Sequence, residues 1–179
     1  MKRIAHWLLP VIPVVLSASL SAQTVLLDDF NRPDNTVVGN FWSETETVAG
    51  TSVNITANQM KLGSTVARHD YAVQDVSADY NTVLNTNTSI LTWAFNIRQS
   101  RTDPSGFDVS NYGMAVVLGC SSNDFNTGNG YAVVLGNSGT SDNLRLVRFT
   151  NGLDANANMV NVIAPVVDYG NQYLTVKVT

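Results

Sequence analysis

One cysteine, Cys120, stands in the 179 residues of this chain. A lone thiol excludes an intramolecular disulfide and any cysteine-based zinc cluster. Histidine is almost as scarce. His69 is the only one beyond residue 22, so no Ser-His-Asp relay can be built with confidence on its surroundings. Charged residues make up 13% of the chain, the formal charge is −4, and no basic run occurs beyond Lys2-Arg3. That balance argues against nucleic acid as a partner. No uninterrupted apolar stretch reaches the length of a membrane span.

What is present begins with a targeting segment. Lys2 and Arg3 supply a positive start, and Trp7 to Leu16 is an apolar run interrupted by Pro10 and Pro13. Ser17 to Ala22 (SASLSA) supplies the small residues of a cleavage region. Residues 1–22 read as a secretory signal peptide cleaved after Ala22, with cleavage after Ser21 as the alternative. The product is then secreted or held at the cell surface, and loss of Lys2 and Arg3 takes the formal charge to −6. Residues 23–179 are long enough to bury one core without disulfides.

That remainder is expected to be all-β. Its apolar residues alternate or run in short blocks punctuated by Asn, Gly, Ser, Thr and Asp, and it has no convincing amphipathic helix. The clearest stretch is Ile90 to Arg98 (ILTWAFNIR). Leu91, Trp93, Phe95 and Ile97 point one way, while Thr92, Ala94, Asn96 and Arg98 point the other, which predicts a central strand. Further strands are expected at Thr24–Phe30, Phe41–Val48, His69–Val76 and Gln172–Thr179, with a hairpin turning near Asn58. A polar loop is expected to lead from Val76 to Ile90. Tyr112–Cys120, Gly130–Gly136 and Asn143–Phe149 read as a meander, followed by a weaker candidate at Val160–Val167. Cys120 alternates in phase with Met114, Val116 and Leu118 and is expected to be a buried structural thiol.

Three strands share a further property. Opposite their large residues they carry small ones: Gly113, Ala115, Val117 and Gly119; Gly130, Ala132, Val134 and Gly136; Thr92, Ala94 and Asn96. Such a face can form a shallow trough or accommodate something packed over it. The end of the chain within a strand suggests the N-terminal part of a longer protein.

The segments LLDDFNRPDNTVVGNFW, F-x-x-R at Phe95–Arg98, GYAVVLG, LRLVRF and YLTVKVT together resemble the concanavalin A-like, laminin-G-like jelly-roll domains of secreted bacterial surface proteins. The resemblance implies a β-sandwich in the jelly-roll arrangement. It also implies a carbohydrate-binding or adhesion role, with a glycan or cell-surface polysaccharide as partner. Fold does not choose among lectins, glucanases and structural modules. The E-x-D-x-x-E motif of the family's glucanases is absent. The nearest carboxylate pair is Glu44 and Glu46, about 7 Å apart on one strand face, so a divergent glycoside hydrolase stays an alternative, as does a spacer domain with no ligand. The resemblance further implies a structural calcium with Asp28 or Asp29 as ligand, and Asn123, Asp124 and Asn126 form a second oxygen-rich loop. For sugar binding the candidates are Thr92, Asn96 and Arg98, with Arg145 on a neighbouring strand. The aromatic platform is expected from Trp42, Tyr71 or Tyr169.

Overall fold

A computed structural model describes residues 26–63, 69–86, 90–100, 113–136 and 141–179. Residues 1–22, where a leader is expected, Tyr112 and most of the loop expected at 99–111 lie outside the described residues. The architecture is antiparallel and essentially all-β, as the alternating pattern predicts.

Ten short strands occur in chain order: β1 Ser43–Thr45, β2 Val53–Ile55, β3 Met60–Leu62, β4 Tyr71–Val73, β5 Trp93–Ile97, β6 Met114–Cys120, β7 Gly130–Leu135, β8 Leu144–Phe149, β9 Met159–Ile163 and β10 Leu174–Val178. The last four before β10 form one sheet in the order β6-β7-β8-β9. This is the meander that the sequence predicts, and β9 stops two residues before Pro165, which lacks the donor a ladder needs. β5 pairs with β10 as a separate two-stranded ribbon. The ribbon lies across one face of the large sheet. Ile97 and Val176 from the ribbon bury against Leu118, Val133 and Leu135 of the sheet, with Trp93, Phe95, Leu174 and Val178 around them. Two layers closing over an apolar interior make a β-sandwich.

The smaller pairs β1–β4 and β2–β3 lie in the N-terminal part of the chain. β2 and β3 turn through Ala57 and Asn58, both at positive φ (52° and 58°). That is the backbone of a tight two-residue hairpin, and it falls where the sequence places it. Val38, Val53 and Ile55 form a local core here, with Phe30 and Trp42 against it.

Four expectations need correction. Leu26–Phe30 forms no strand. Asp28 instead folds the backbone around its carboxylate, accepting from the Phe30 N–H at 2.8 Å, and Phe30 turns to φ 55°. The segment after Val76 is not a loop but a helix, α1, Ser77–Thr86. Asp75 accepts from the Ser77 N–H, one of the orphan donors of the first turn. The helix is anchored by Tyr80, whose hydroxyl donates to the Leu118 carbonyl at 2.5 Å and whose ring lies over Gly119. One aromatic anchor leaves no apolar stripe for a periodicity argument to find.

The third correction concerns phase. Val117 pairs with Ala132 and Gly119 with Tyr131, so Leu118 is an extra residue, a β-bulge. Beyond it the alternation inverts. Cys120 therefore joins Ala115, Val117, Ala132, Val134, Val147 and Phe149, not Met114 and Val116. Its thiol lies against Gly128, where a side chain would collide with the sulfur.

The fourth concerns the trough. β5 is not in the sheet of β6 and β7, so its polar face and their small-residue face point away from each other, on opposite sides of the sandwich. The small-residue face is also covered, with Ala132 and Val134 at 0% exposure beside Val147, Phe149 and Leu153.

Candidate functional site

The outward face of the ribbon gathers most of the polar residues that the sequence singles out. Thr92, Ala94, Asn96 and Arg98 are exposed along β5, while Tyr173, Thr175, Lys177 and Thr179 are exposed along β10. The antiparallel register sets Thr175 opposite Asn96 and Lys177 opposite Ala94. Thr175 donates its hydroxyl to Asn96 Oδ1 at 3.0 Å, and the Thr92 and Thr179 hydroxyls stand 3.5 Å apart.

At the other end of this face Arg98 is held in a fixed pose. Its guanidinium carbon lies 4.8 Å from the centre of the Tyr173 ring, a cation–π distance. Its Nε donates to Asn171 Oδ1 at 2.8 Å. Tyr173 in turn donates its hydroxyl to Gln59 Oε1 at 2.8 Å, tying the ribbon to the β2–β3 hairpin. Hydrogen bonds with Arg98 and Gln59 hold the phenol below its usual pKa, and the Arg98 charge adds to the effect. With Arg98 over it, Tyr173 still keeps 56% of its surface open. Gly170 at φ 52° begins the turn that presents Asn171.

This is an aromatic flanked by guanidinium, amide and hydroxyl groups on a rigid strand pair. Two sides of sequence reasoning meet here with different success. Thr92, Asn96 and Arg98 share the outward face of β5, which is not the trough that the sequence predicts. The exposed aromatic on this face is Tyr173, not Trp42, Tyr71 or Tyr169. Its signal was available, since Tyr173 is in phase with Thr175 and Lys177 and out of phase with the inward Leu174, Val176 and Val178.

The other expected residues lie elsewhere. Arg145 is buried, at 6% exposure, on the covered side of the sheet. It donates to the Gly136 carbonyl at 2.9 Å and to Asn161 Oδ1 at 3.2 Å, so it fastens β7 to β9. Burial pushes its pKa down. Trp42 packs in the N-terminal core and donates its indole N–H to Asp28 Oδ2 at 2.9 Å. Tyr71 packs on Phe125 in a tilted pair, with ring centres 5.0 Å apart, and Tyr169 is half-buried beside Asp142, whose carbonyl accepts its N–H.

Of the candidate calcium ligands, Asp28 is committed to the protein's own donors. The Asp28 carboxylate accepts from Phe30 N, from both terminal nitrogens of Arg32 at 2.8 and 3.1 Å, from Asn40 Nδ2 and from Trp42 Nε1. Donors occupy its lone pairs, and a guanidinium stands where a metal would. The ion pair with Arg32 holds its pKa well below the usual carboxylate range. Asp29 is exposed and accepts from the Asn31 N–H. In the second loop Asp124 Oδ1 already accepts from the Asn126 backbone and side chain, both at 3.0 Å. Among the described residues, no group of three or more His, Cys, Asp or Glu is placed to hold a metal.

The glutamates of the hydrolase alternative are also committed to structure. Glu44 accepts from the Val38 N–H. Glu46 accepts from the N–H groups of Gly50, Ser52 and Val53 at 2.5–2.9 Å. Burial alone would raise the Glu46 pKa, but these donors together pull it down.

A cleft of about 400 Å³ opens between the β4–α1 connection and the end of β6, lined by Gln74, Asp75, Tyr80, Asn81, Asn123 and Phe125. Among the described residues Asp75 is its one acid, and it accepts from the Ser77 N–H at the start of α1. No described helix is long and apolar enough to cross a membrane. The chain matches no family model, no curated protein and no solved structure.

Proposed function

We propose that the protein is a secreted, non-catalytic module of concanavalin A-like type that holds a carbohydrate on the outward face of the β5–β10 ribbon. One observation carries this reading: Tyr173 is exposed yet held, with the Arg98 guanidinium over its ring, Gln59 on its hydroxyl, Asn171 on Arg98, and the Asn96–Thr175 pair further along the same face. A sugar ring offers an apolar face and a rim of hydroxyls. An aromatic edged by amides and a guanidinium complements both, and a preorganised site loses little entropy on binding. The face is exposed along its length, which suits a stretch of polysaccharide. The leader at 1–22 and the strand sequences that resemble concanavalin A-like domains support the same reading.

A glycan array probed with residues 23–179 tests it. Binding to at least one polysaccharide is expected, weakened about tenfold by Tyr173→Ala, the size of one lost aromatic contact. Failure to bind any polysaccharide, or binding indifferent to both Tyr173→Ala and Arg98→Ala, overturns it. A spacer domain is the second reading, favoured by the covered small-residue face, and a blank array is what it predicts.

A further inference from the structure

We propose that the occupant of the ribbon face is a linear polysaccharide bearing carboxylates, a polyuronate, gripped by Arg98 and Lys177 at separate acid groups. The inference rests on the carbohydrate reading and narrows its ligand.

Charge is the first argument. The chain has 14 acidic and 10 basic residues. The outward positions of the ribbon reverse that balance: Thr92, Ala94, Asn96 and Arg98 on one strand, Tyr173, Thr175, Lys177 and Thr179 on the other, two cations and no acid. Among the described residues neither Arg98 nor Lys177 has a carboxylate partner. Two uncompensated cations on a surface of an otherwise acidic protein are complementary to an anion.

Arg98 supplies the second. Its Nε is already spent on Asn171, and its guanidinium lies over the Tyr173 ring and is hydrogen-bonded to the phenol. The guanidinium N–H groups beyond those partners are left to meet a carboxylate, a group that arginine recognises by charge-assisted hydrogen bonds. The pose is set before any ligand arrives.

Spacing is the third. Lys177 stands opposite Ala94, four residues along β5 from Arg98. That is roughly 13 Å along the strand, too far for one carboxylate. Between the two cations lies the neutral Asn96–Thr175 pair. The order cation, hydrogen-bonding pair, cation fits a polymer whose acid groups recur along its length. A nucleic acid would present a charge at every step, for which two cations are too few.

Binding to immobilised polygalacturonate tests the idea, beside the same polymer methyl-esterified, a neutral β-glucan, dextran sulfate and polyglutamate. Polygalacturonate is expected to bind. Lys177→Gln is expected to weaken it about tenfold, the scale of one charge-assisted hydrogen bond, esterification, which removes both contacts, about a hundredfold, and added salt to weaken it further. Lys177 is exposed, so Lys177→Gln should keep the fold, which an unfolding curve verifies. If the neutral glucan binds as well as polygalacturonate and Lys177→Gln changes nothing, the anionic inference falls while the carbohydrate reading stands. Stronger binding to dextran sulfate overturns the choice of carboxylate, and equal binding to polyglutamate overturns the saccharide. If no saccharide binds, both readings fall.

Discussion

Replacing Asp28 by asparagine changes one atom at the most heavily bonded carboxylate among the described residues. The Asp28 side chain is 2% exposed and receives five hydrogen bonds. Oδ1 faces Phe30 N and Arg32 Nη1; Oδ2 faces Arg32 Nη2, Asn40 Nδ2 and Trp42 Nε1. An amide must put its NH2 on one side or the other. Either choice points a donor at two or more donors, and both remove the charge that faces Arg32. Arg32 also donates to the Val38 carbonyl at 2.8 and 3.1 Å, so the disturbance reaches the N-terminal core.

One charged hydrogen bond contributes about 1.5–3 kcal/mol, and an unsatisfied buried donor costs about 1–3 kcal/mol. Arg32 keeps partial access to water, which offsets part of this, so Asp28→Asn should destabilise the fold by about 3 kcal/mol. Urea unfolding followed by tryptophan fluorescence reads it directly. Trp42→Phe, which deletes a single donor, should cost about 1 kcal/mol by the same reasoning. If Asp28→Asn unfolds at the same urea concentration as the parent, the carboxylate is not the hub described.

Acid should expose the same network. The Asp28 and Glu46 pKa values are both lowered in the folded chain. Their contribution is therefore complete above the unfolded value of about 4 and lost as pH falls below it. Thermal melts between pH 6 and pH 3 should fall more steeply for the parent than for Asp28→Asn. Gly130→Ala should cost about 3 kcal/mol, because the added carbon collides with the Gly119 carbonyl and lies 2.9 Å from the Phe149 ring; an unchanged urea midpoint would contradict the packing. Arg145→Ala should cost about 3 kcal/mol by stranding the Gly136 carbonyl and leaving a void, while Arg145→Met should recover part of it. Equal losses for the two variants, measured by the same titration, would show that the stem does not contribute to packing.

Wherever one strand face meets a core, the sequence was legible. Trp93, Phe95 and Ile97 alternate because one side of β5 is buried, and the β6–β9 meander follows from short turns between alternating runs. The β2–β3 turn was legible for a local reason, since Asn58 tolerates positive φ. Features made by distant parts of the chain were not. Nothing local announces the bulge at Leu118, and a single extra residue there moves Cys120 to the other face. α1 forms because Tyr80 finds Gly119 and the Leu118 carbonyl, not because its own residues alternate. Asp28 reads as one more acid near a loop until Trp42 and Asn40 come within reach. The site was half legible: Asn96 and Arg98 could be named from β5 alone, but Tyr173 acquires its meaning only when β10 is known to lie beside it.

That pairing has a consequence for the order of assembly. Asn96 and Thr175 are separated by 79 positions, whereas each partner in the meander is the next strand along. Closing so long a loop costs entropy that local hairpins avoid. The β6–β9 sheet is expected to form first and to offer the apolar surface on which β5 and β10 then meet. The surface assigned to binding would thus be the last to be completed and the first to open. A ligand that bridges the two strands would slow that opening, and hydrogen exchange at Asn96 and Thr175 would register its presence before any change in the rest of the sandwich.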